Sequence, residues 1–371
     1  MRSYTDDGSH YDDQIGAEAT PGEFLDALIA CTADWLKVLK PTGSIWVNLG
    51  DKYAGSGGHN NAGIGGSGRG PSSYNKSTSM GPVADMQQGA RDGHRRSRPF
   101  PVEGVRDKSL MGLPWRYALR CIDDLGLILR AEIIWDKPNG IPESVTDRVR
   151  RSHEHWFHFT NEGRYFAAVD EVRDPLDVDV LGALPGSVWT IPTEPLLVPD
   201  HLAVDHFAAF PSEWPRRIIL GWSPSGYCTV CGEPRRPVVD KEALGRGRDT
   251  VGGPGRGTRG LPGYADVDRS AWNEGVTRRI TGYSCACSSV EPTSTSPAVV
   301  LDPFVGTGTT VAVAHLLGRH GIGTDLSADY LRLAEWRCTA DRPLRDKVLD
   351  RTGIPNPRPP VIDGQLSLLA E

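Results

Sequence analysis

The sequence AVVLDPFVGTGTT at Ala298–Thr310 has the pattern of an apolar strand that runs into a glycine turn. The residues that follow, VAVAHLL at Val311–Leu317, have the composition of a buried helix. A second short strand, HGIGT at His320–Thr324, leads directly to the acid Asp325. Strand, glycine turn, helix and strand form the unit in which a backbone closely approaches a nucleotide-like ligand. The stretch therefore predicts a parallel sheet with a ligand site at the end of one strand.

Two features of this stretch bear on what it binds. Asp325 follows Asp302 by about 20 residues, the offset at which an acid accepts hydrogen bonds from ribose hydroxyls. The first turn of the helix offers free N–H groups and the positive end of the helix dipole. The spacing matches neither the dinucleotide fingerprint GxGxxG nor the P-loop GK[ST]. A glycine turn with a purely structural role is the alternative to a ligand site.

The rest of the chain alternates predicted helices and strands, as in α/β folds. Thr20–Glu23 has the pattern of a capping box at a helix start, and Ser44–Leu49 is a short apolar strand. A helix is predicted at 110–125 and a strand at 127–135. Polar, Gly- and Arg-rich sequence interrupts the pattern twice. We expect a core formed by 1–223 and 288–371, with a flexible insertion at 54–107 and a second insertion at 224–287.

Several segments upstream of the glycine turn resemble one family. They are KSLMGLPWR at Lys108–Arg116, IWDKPNGIPESVTDR at Ile134–Arg148, SVWTIP at Ser187–Pro192 and HFAAFP at His206–Pro211. Together with DPFVGTGTT, their order is similar to that of permuted DNA amino-methyltransferases, in which the catalytic half precedes the cofactor half. The resemblance implies a Rossmann-like α/β fold with loop insertions and S-adenosylmethionine (SAM) as cofactor. It also implies methyl transfer to N6 of adenine or N4 of cytosine, in double-stranded DNA whose target base is flipped out.

The resemblance also assigns roles to single residues. The loop from Asp302 to Gly308 would hold the methionine part of SAM, and Asp325 would accept hydrogen bonds from the ribose. Phe210 lies in the segment that closes over the methionine. The expected cofactor residues are Asp302, Pro303, Phe304, Gly306, Gly308, Thr309, Thr310, Asp325 and Phe210.

The catalytic element of the family is a Ser/Asp/Asn-Pro-Pro-Tyr/Phe tetrapeptide, which binds the target amino group and stacks on the flipped base. It is expected shortly before Arg2-Ser3-Tyr4, and the 371 residues do not contain it. We therefore expect the true start to lie upstream of Met1, and the 371 residues to bind SAM but to transfer methyl groups poorly. An inactive, shortened remnant that binds DNA or cofactor is the alternative. A methyltransferase for RNA, protein or a small molecule is a third hypothesis.

The cysteines fall into two groups. Three lie in apolar helical patterns and are predicted to be buried: Cys31, Cys121 and Cys338. Four form the close pairs CTVC and CAC, the spacing of a structural zinc site, and they are Cys228, Cys231, Cys285 and Cys287. Free thiols or redox pairing are the alternatives. The segment 224–287 would then be a zinc-ribbon insertion, placed where the family carries its target-recognition region.

Composition limits the remaining hypotheses. The 371 residues are 38% hydrophobic and 24% charged, with a net charge of −6, which is typical of a globular protein and not of a wholly basic nucleic-acid binder. Two basic segments, 91–108 and 246–259, could contact phosphates; solvated loops are the alternative. No apolar run is long enough to cross a bilayer, and the polar start is not a signal peptide. We expect a cytoplasmic protein with no membrane partner and with a restriction endonuclease as a candidate partner.

Overall fold

The computed structural model describes residues 14–54, 105–140, 143, 145–177, 180–196, 198–199, 202, 210–243, 276–287 and 294–350, and the short strands 5–6, 9–10 and 368–369. The helices are α1 (Pro21–Val38), α2 (Leu113–Asp123), α3 (Glu213–Trp222), α4 (Thr309–Leu316), α5 (Ala328–Thr339) and α6 (Arg342–Asp350). The strands are β1 (Thr5–Asp6), β2 (Ser9–His10), β3 (Ser44–Leu49), β4 (Ile128–Asp136), β5 (His153–Thr160), β6 (Pro175–Asp177), β7 (Val180–Leu181), β8 (Val188–Thr190), β9 (Tyr227–Cys228), β10 (Arg236–Ala243), β11 (Val276–Ser284), β12 (Thr295–Ser296), β13 (Val299–Asp302), β14 (His320–Thr324) and β15 (Leu368–Leu369).

A four-stranded mixed sheet in the order β3-β5-β4-β8 forms one half of the core. Its second strand, β5, alternates its side chains between two buried faces. Phe157 and Phe159 pack with α1 and α2 on one face, while Trp156 packs in a tryptophan cluster with Trp214 of α3 on the other. The second half of β5, from Trp156 to Thr160, is therefore buried on both faces of the sheet.

A three-stranded parallel sheet, β13-β14-β15, forms the other half of the core. Residues 299–302 of β13 pair in register with 320–323 of β14, and α4 makes the crossover between them. The middle of helix α4, Val311–Ala314, is apolar and fully buried, since the helix packs between α3, α6 and the sheet. Among the described strands β13 pairs only with β14, and its Val299 and Leu301 are 57% and 40% exposed. One edge of this sheet is thus open in the described residues.

Helix α1 forms as its sequence predicts. The Thr20 side chain accepts a hydrogen bond from the Glu23 N–H at 3.2 Å, and the Glu23 carboxylate accepts one from the Thr20 N–H at 2.9 Å. This is the reciprocal capping box expected at a helix start. The predicted strands at 44–49 and 127–135 are also confirmed, the latter at Ile128–Asp136.

Helix α2 begins later than its sequence pattern predicts, at Leu113 and not at residue 110. Gly112 has a left-handed φ of 69°, and the carboxylate of Asp51 accepts hydrogen bonds from the N–H groups of Gly112 and Leu113 at 3.0 and 3.2 Å. This helix cap comes from a residue far away in sequence, so no local pattern could predict the start.

The predicted flexible insertion at 54–107 lies outside the described residues except for its ends. Ala54 is fully buried, and its N–H donates to the Ser109 carbonyl at 2.8 Å while its carbonyl accepts from the Lys108 N–H at the same distance. The base of the segment is therefore closed against the core.

Of the cysteines predicted to be buried, Cys121 is buried, whereas Cys31 and Cys338 are half-buried. In the part of the chain that the structure describes, no helix is long and apolar enough to span a membrane.

Candidate functional site

The predicted ligand site lies at the carboxyl ends of β13 and β14. β13 ends at Asp302, α4 begins at Thr309, and the loop between them contains the glycine turn. The Asp302 carboxylate accepts a hydrogen bond from the Phe304 N–H at 3.1 Å, which folds the start of the loop back on the strand end. This confirms the predicted order of strand, glycine turn, helix and strand.

Asp325 shapes the same loop from the end of β14. One of its carboxylate oxygens accepts from the Gly306 N–H at 2.8 Å, and the other accepts from the Ser327 N–H at 2.9 Å. The Thr324 hydroxyl donates to the Pro303 carbonyl at 2.9 Å. Asp325 thus holds the glycine turn in place, in addition to the ribose contact expected from the sequence. The sequence did not predict this second role of Asp325.

The two glycines of the turn have different roles. Gly306 has a φ of 48°, and a Cβ placed there would meet only the Phe304 carbonyl oxygen at 3.9 Å, so this part of the loop is open. Gly308 has a φ of 79°, but its Cβ would lie 2.5 Å from the Cβ of Ala334 and 2.6 Å from its Cα. Gly308 therefore allows α4 to pack against α5. Both glycines were expected to leave the backbone open to a ligand; the structure shows open space at Gly306 and a close contact with Ala334 at Gly308.

A buried arginine supports the loop from behind. The Arg337 guanidinium, from α5, donates to the hydroxyls of Thr307 and Thr309 at 3.2 and 2.6 Å, and to the Thr307 carbonyl at 3.3 Å. Burial lowers the pKa of Arg337, and the nearby carboxylate of Asp341 opposes this change. Sequence reasoning missed Arg337, because a single arginine in an ordinary amphipathic helix gives no signal of its contacts.

Two carboxylates lie close together at the ends of the parallel strands. Burial raises the pKa of Asp302, while hydrogen bonds from the Thr310 side chain and the Phe304 N–H lower it, and the charge of Asp325 raises it further. Such a pair of acids is stabilised by a cation between or beside them. The amino end of α4 contributes partial positive charge at the same place. The site can therefore bind a ligand that carries both a cationic group and hydroxyl or carboxylate groups.

The two expected aromatic cofactor residues lie in different surroundings. Phe304 is 51% exposed, and its ring meets the edge of Trp35 of α1 with centroids 5.8 Å apart. Phe210 is half-buried and packs edge to face on Trp156, with centroids 6.0 Å apart. Phe210 therefore extends the tryptophan cluster, and residues 203–209 before it lie outside the described residues.

The four paired cysteines come together. Their sulfur atoms all lie within 4.8 Å of one another, and those of Cys228 and Cys287 are 3.6 Å apart. The two pairs are separated by more than 50 residues of sequence, so this juxtaposition is a property of the fold. The basic segments 91–108 and 246–259 fall outside the described residues, apart from 105–108.

Comparison with known families assigns the class. The sequence model of the family described as "DNA methylase", which is named for N6 and N4 methyltransferases, matches residues 4–229 and 288–335. The chain belongs to this DNA methylase family. The resemblance drawn from the sequence is confirmed, and with it the Rossmann-like α/β fold class with the cofactor motif placed last. The match leaves residues 230–287 uncovered, between its two parts.

Individual relatives agree with this assignment. The chain is 38% identical over 204 residues to the Type II methyltransferase M.XycI of Xanthomonas campestris pv. cyanopsidis, which covers 54% of this chain and 57% of the relative. It is 35% identical over 217 residues to the Type II methyltransferase M.Cfr9I of Citrobacter freundii, which covers 58% of this chain and 61% of the relative. The matched region thus spans less than two thirds of the length of these relatives.

Among solved structures, the PvuII DNA methyltransferase (cytosine-N4-specific) aligns with a TM-score of 0.49 at 15% identity, over 92% of this chain and 79% of that chain.

Proposed function

We propose that this protein is a SAM-dependent DNA methyltransferase that acts on an exocyclic amino group, N4 of cytosine or N6 of adenine. One observation carries the proposal. In a chain of the DNA methylase family, two acids and an open glycine turn surround the amino end of α4. The sequence alone led to the same expectation, a DNA-modifying enzyme.

The residues of the loop fit the chemistry of SAM. The methionine part of SAM carries an ammonium and a sulfonium, and the carboxyl groups of Asp302 and Asp325 lie next to each other, where a cationic ligand would favour their charged forms. Gly306 leaves the backbone open at the point where the ligand would pass, and Asp325 has the chemistry to accept from ribose hydroxyls. When bound, SAM supplies a methyl group on a positively charged sulfur, which is ready for transfer to an amine.

The rest of the loop would position that methyl group. Arg337 holds Thr307 and Thr309, and Asp325 holds Gly306, so the loop is organised before a ligand arrives. A site that is organised in advance loses less entropy on binding and keeps the methyl group on one line of approach. The amine acceptors expected from the Ser/Asp/Asn-Pro-Pro-Tyr/Phe element would complete the alignment.

Double-stranded DNA is the proposed substrate, with residues 224–287 as the target-recognition insertion. The family match is interrupted at 230–287, and the described part of this segment is an antiparallel ribbon of β10 and β11. The ribbon carries several basic side chains suited to phosphate contacts, and they are Arg236, Lys241, Arg278 and Arg279. A restriction endonuclease that cuts the same sequence is the proposed partner, since the relatives are named Type II methyltransferases.

Binding of SAM tests the cofactor site directly. Asp325→Asn keeps the size of the side chain but removes its charge, and we expect SAM affinity in calorimetry to fall about 10- to 100-fold, the loss typical for a hydrogen bond to a charged group. Asp329→Asn is the matched control, because it makes the same change four residues further along the chain, on a residue paired with Arg332. Equal SAM affinity in the Asp325 variant and the control would show that the site is assigned wrongly.

Methyl transfer is a separate measurement. Tritium transfer from SAM to mixed genomic DNA, followed by digestion to nucleosides, identifies N4-methylcytosine or N6-methyladenine. We expect one of these two methylated nucleosides among the labelled products. Preferential labelling of RNA or protein would contradict DNA as the substrate.

A further inference from the structure

The four cysteines of the second insertion lie on two parts of the chain that are built differently. Cys228 ends β9 and is 1% exposed, while Cys231 follows in an exposed turn. Cys285 and Cys287 come directly after β11, the second strand of the ribbon. The cluster therefore lies at the base of the ribbon, where the insertion leaves and re-enters the core.

The turn around Cys228 and Cys231 has the form of a metal-binding knuckle. The Gly232 N–H donates to the Cys228 carbonyl at 2.9 Å, and Gly232 has a φ of 73°, which a residue with a side chain rarely adopts. The Cys228 N–H donates to the Glu233 carbonyl at 3.0 Å. Both cysteines are thus held on one side of a tight turn, by backbone hydrogen bonds and without any ion.

The core holds this turn in place from the other side. Strand β9 pairs with β12, with Cys228 opposite Thr295, and the Thr229 N–H donates to the Ser294 carbonyl at 3.0 Å. The segment that supplies Cys228 is therefore anchored next to β13, the strand of the cofactor loop. The turn with Cys228 and Cys231 is therefore held by the core independently of the ribbon, which supplies the other two sulfurs.

The distances among the sulfurs match one shared metal ion. Four thiolates at the usual Zn–S length of about 2.3 Å around a tetrahedral centre lie roughly 3.8 Å apart. The observed separations reach at most 4.8 Å, and the Cys228–Cys287 separation is 3.6 Å. A disulfide would need about 2.05 Å, so these sulfurs are spaced for coordination and not for a covalent bond.

We propose that Cys228, Cys231, Cys285 and Cys287 bind one Zn²⁺ ion as a structural site. Four thiolates satisfy tetrahedral zinc completely and leave no open position for a substrate, so the ion has no part in methyl transfer. Sulfur-only ligands also select zinc over the hard cations Mg²⁺ and Ca²⁺. The ion joins the two ends of the ribbon to each other and to the core at β9.

The ribbon has a second, metal-independent anchor. The Tyr283 hydroxyl of β11 donates to the half-buried Glu171 carboxylate at 2.5 Å, and the Arg235 guanidinium donates to the Tyr283 carbonyl at 2.6 Å. Loss of the ion should therefore loosen the base of the ribbon without releasing all of it. The cofactor loop at 302–308 is held by Asp325 and Arg337, so SAM affinity should not depend on the metal.

Metal analysis of the purified full chain tests the proposal. We expect about one zinc per chain in the wild type. We expect one zinc also in Cys31→Ser, the control, since Cys31 lies in α1, outside the cluster. We expect less than half of this content in Cys285→Ser. Cobalt substituted for zinc should give the visible absorption of a tetrahedral thiolate site. Chelation should speed proteolysis of the ribbon while SAM affinity in calorimetry stays unchanged.

Three results would overturn the proposal, and each is read from the wild type, so the folding of a variant does not decide the matter. The first is a native protein that contains no metal and in which the thiols of all four cluster cysteines react with a thiol reagent. The second is a mass lower by two hydrogens per cysteine pair, which identifies disulfides. The third is iron in place of zinc. None of these results bears on the SAM site, so a failure here is distinguishable from failure of the proposed function.

Discussion

Replacement of Gly308 by alanine separates packing from ligand binding at the glycine turn. The new Cβ would lie 2.5 Å from the Cβ of Ala334 and 2.6 Å from its Cα, and neither atom belongs to a flexible side-chain end. Gly308 also has a φ of 79°. Gly308→Ala should therefore force α4 and α5 apart, although it adds only one methyl group.

The size of the effect follows from two terms. A side chain held in the left-handed region costs about 1–2 kcal/mol. Forcing an extra methyl group into a packed interface typically costs about 1–3 kcal/mol. We expect Gly308→Ala to lower the free energy of unfolding by about 2–5 kcal/mol. Gly306→Ala is the matched control, since its φ of 48° carries the backbone term while the nearest atom is 3.9 Å away.

Urea unfolding followed by tryptophan fluorescence measures both variants, and calorimetry measures their affinity for SAM. Gly308→Ala should lose more stability than Gly306→Ala by the packing term. Gly306→Ala should lose SAM affinity while it keeps most of its stability. Equal free energies of unfolding in the two variants would refute the packing role of Gly308. Unchanged SAM affinity in Gly306→Ala would refute the open side of the turn as the ligand face.

Two further predictions concern buried charged or titratable groups. Burial, and then the charge of Arg130, lower the pKa of His158 to about 3, below its unfolded value of about 6.5. The free energy of unfolding should therefore fall as the pH drops from 6.5 towards 3, by about 2 kcal/mol at pH 5. His158→Phe should remove this part of the pH dependence of urea unfolding. Identical pH profiles for the variant and the wild type would contradict the prediction. Arg337→Met should lower the free energy of unfolding by about 3–5 kcal/mol, because the Asp341 carboxylate loses its buried cation. It should also weaken SAM binding, because Thr307 and Thr309 lose their hydrogen-bond donor. Unfolding and calorimetry of Arg337→Met beside Arg332→Met, an exposed arginine of the same helix, check this, and equal losses would contradict it.

Elements with strong local signals were predictable. The capping box of α1, the apolar strand at 44–49 and the unit β13-α4-β14 each depend on interactions between residues near in sequence. The start of α2 was not predictable, because its cap is Asp51, brought there by the sheet. Local patterns report local hydrogen bonds, whereas a cap from a distant residue leaves no trace in them.

The class of the protein could be predicted from the sequence through its resemblance to the permuted DNA amino-methyltransferases. The position of the glycine turn between a strand and a helix was also predictable, because that motif is contiguous. The sequence also pointed to the four cysteines as one group. Three roles became visible only in the folded chain: Gly308 allows helix packing, Asp325 holds the turn, and Arg337 supports it from behind. These roles depend on which side chains α5 brings against the loop. That is a matter of packing between elements, which residue types and spacing do not contain.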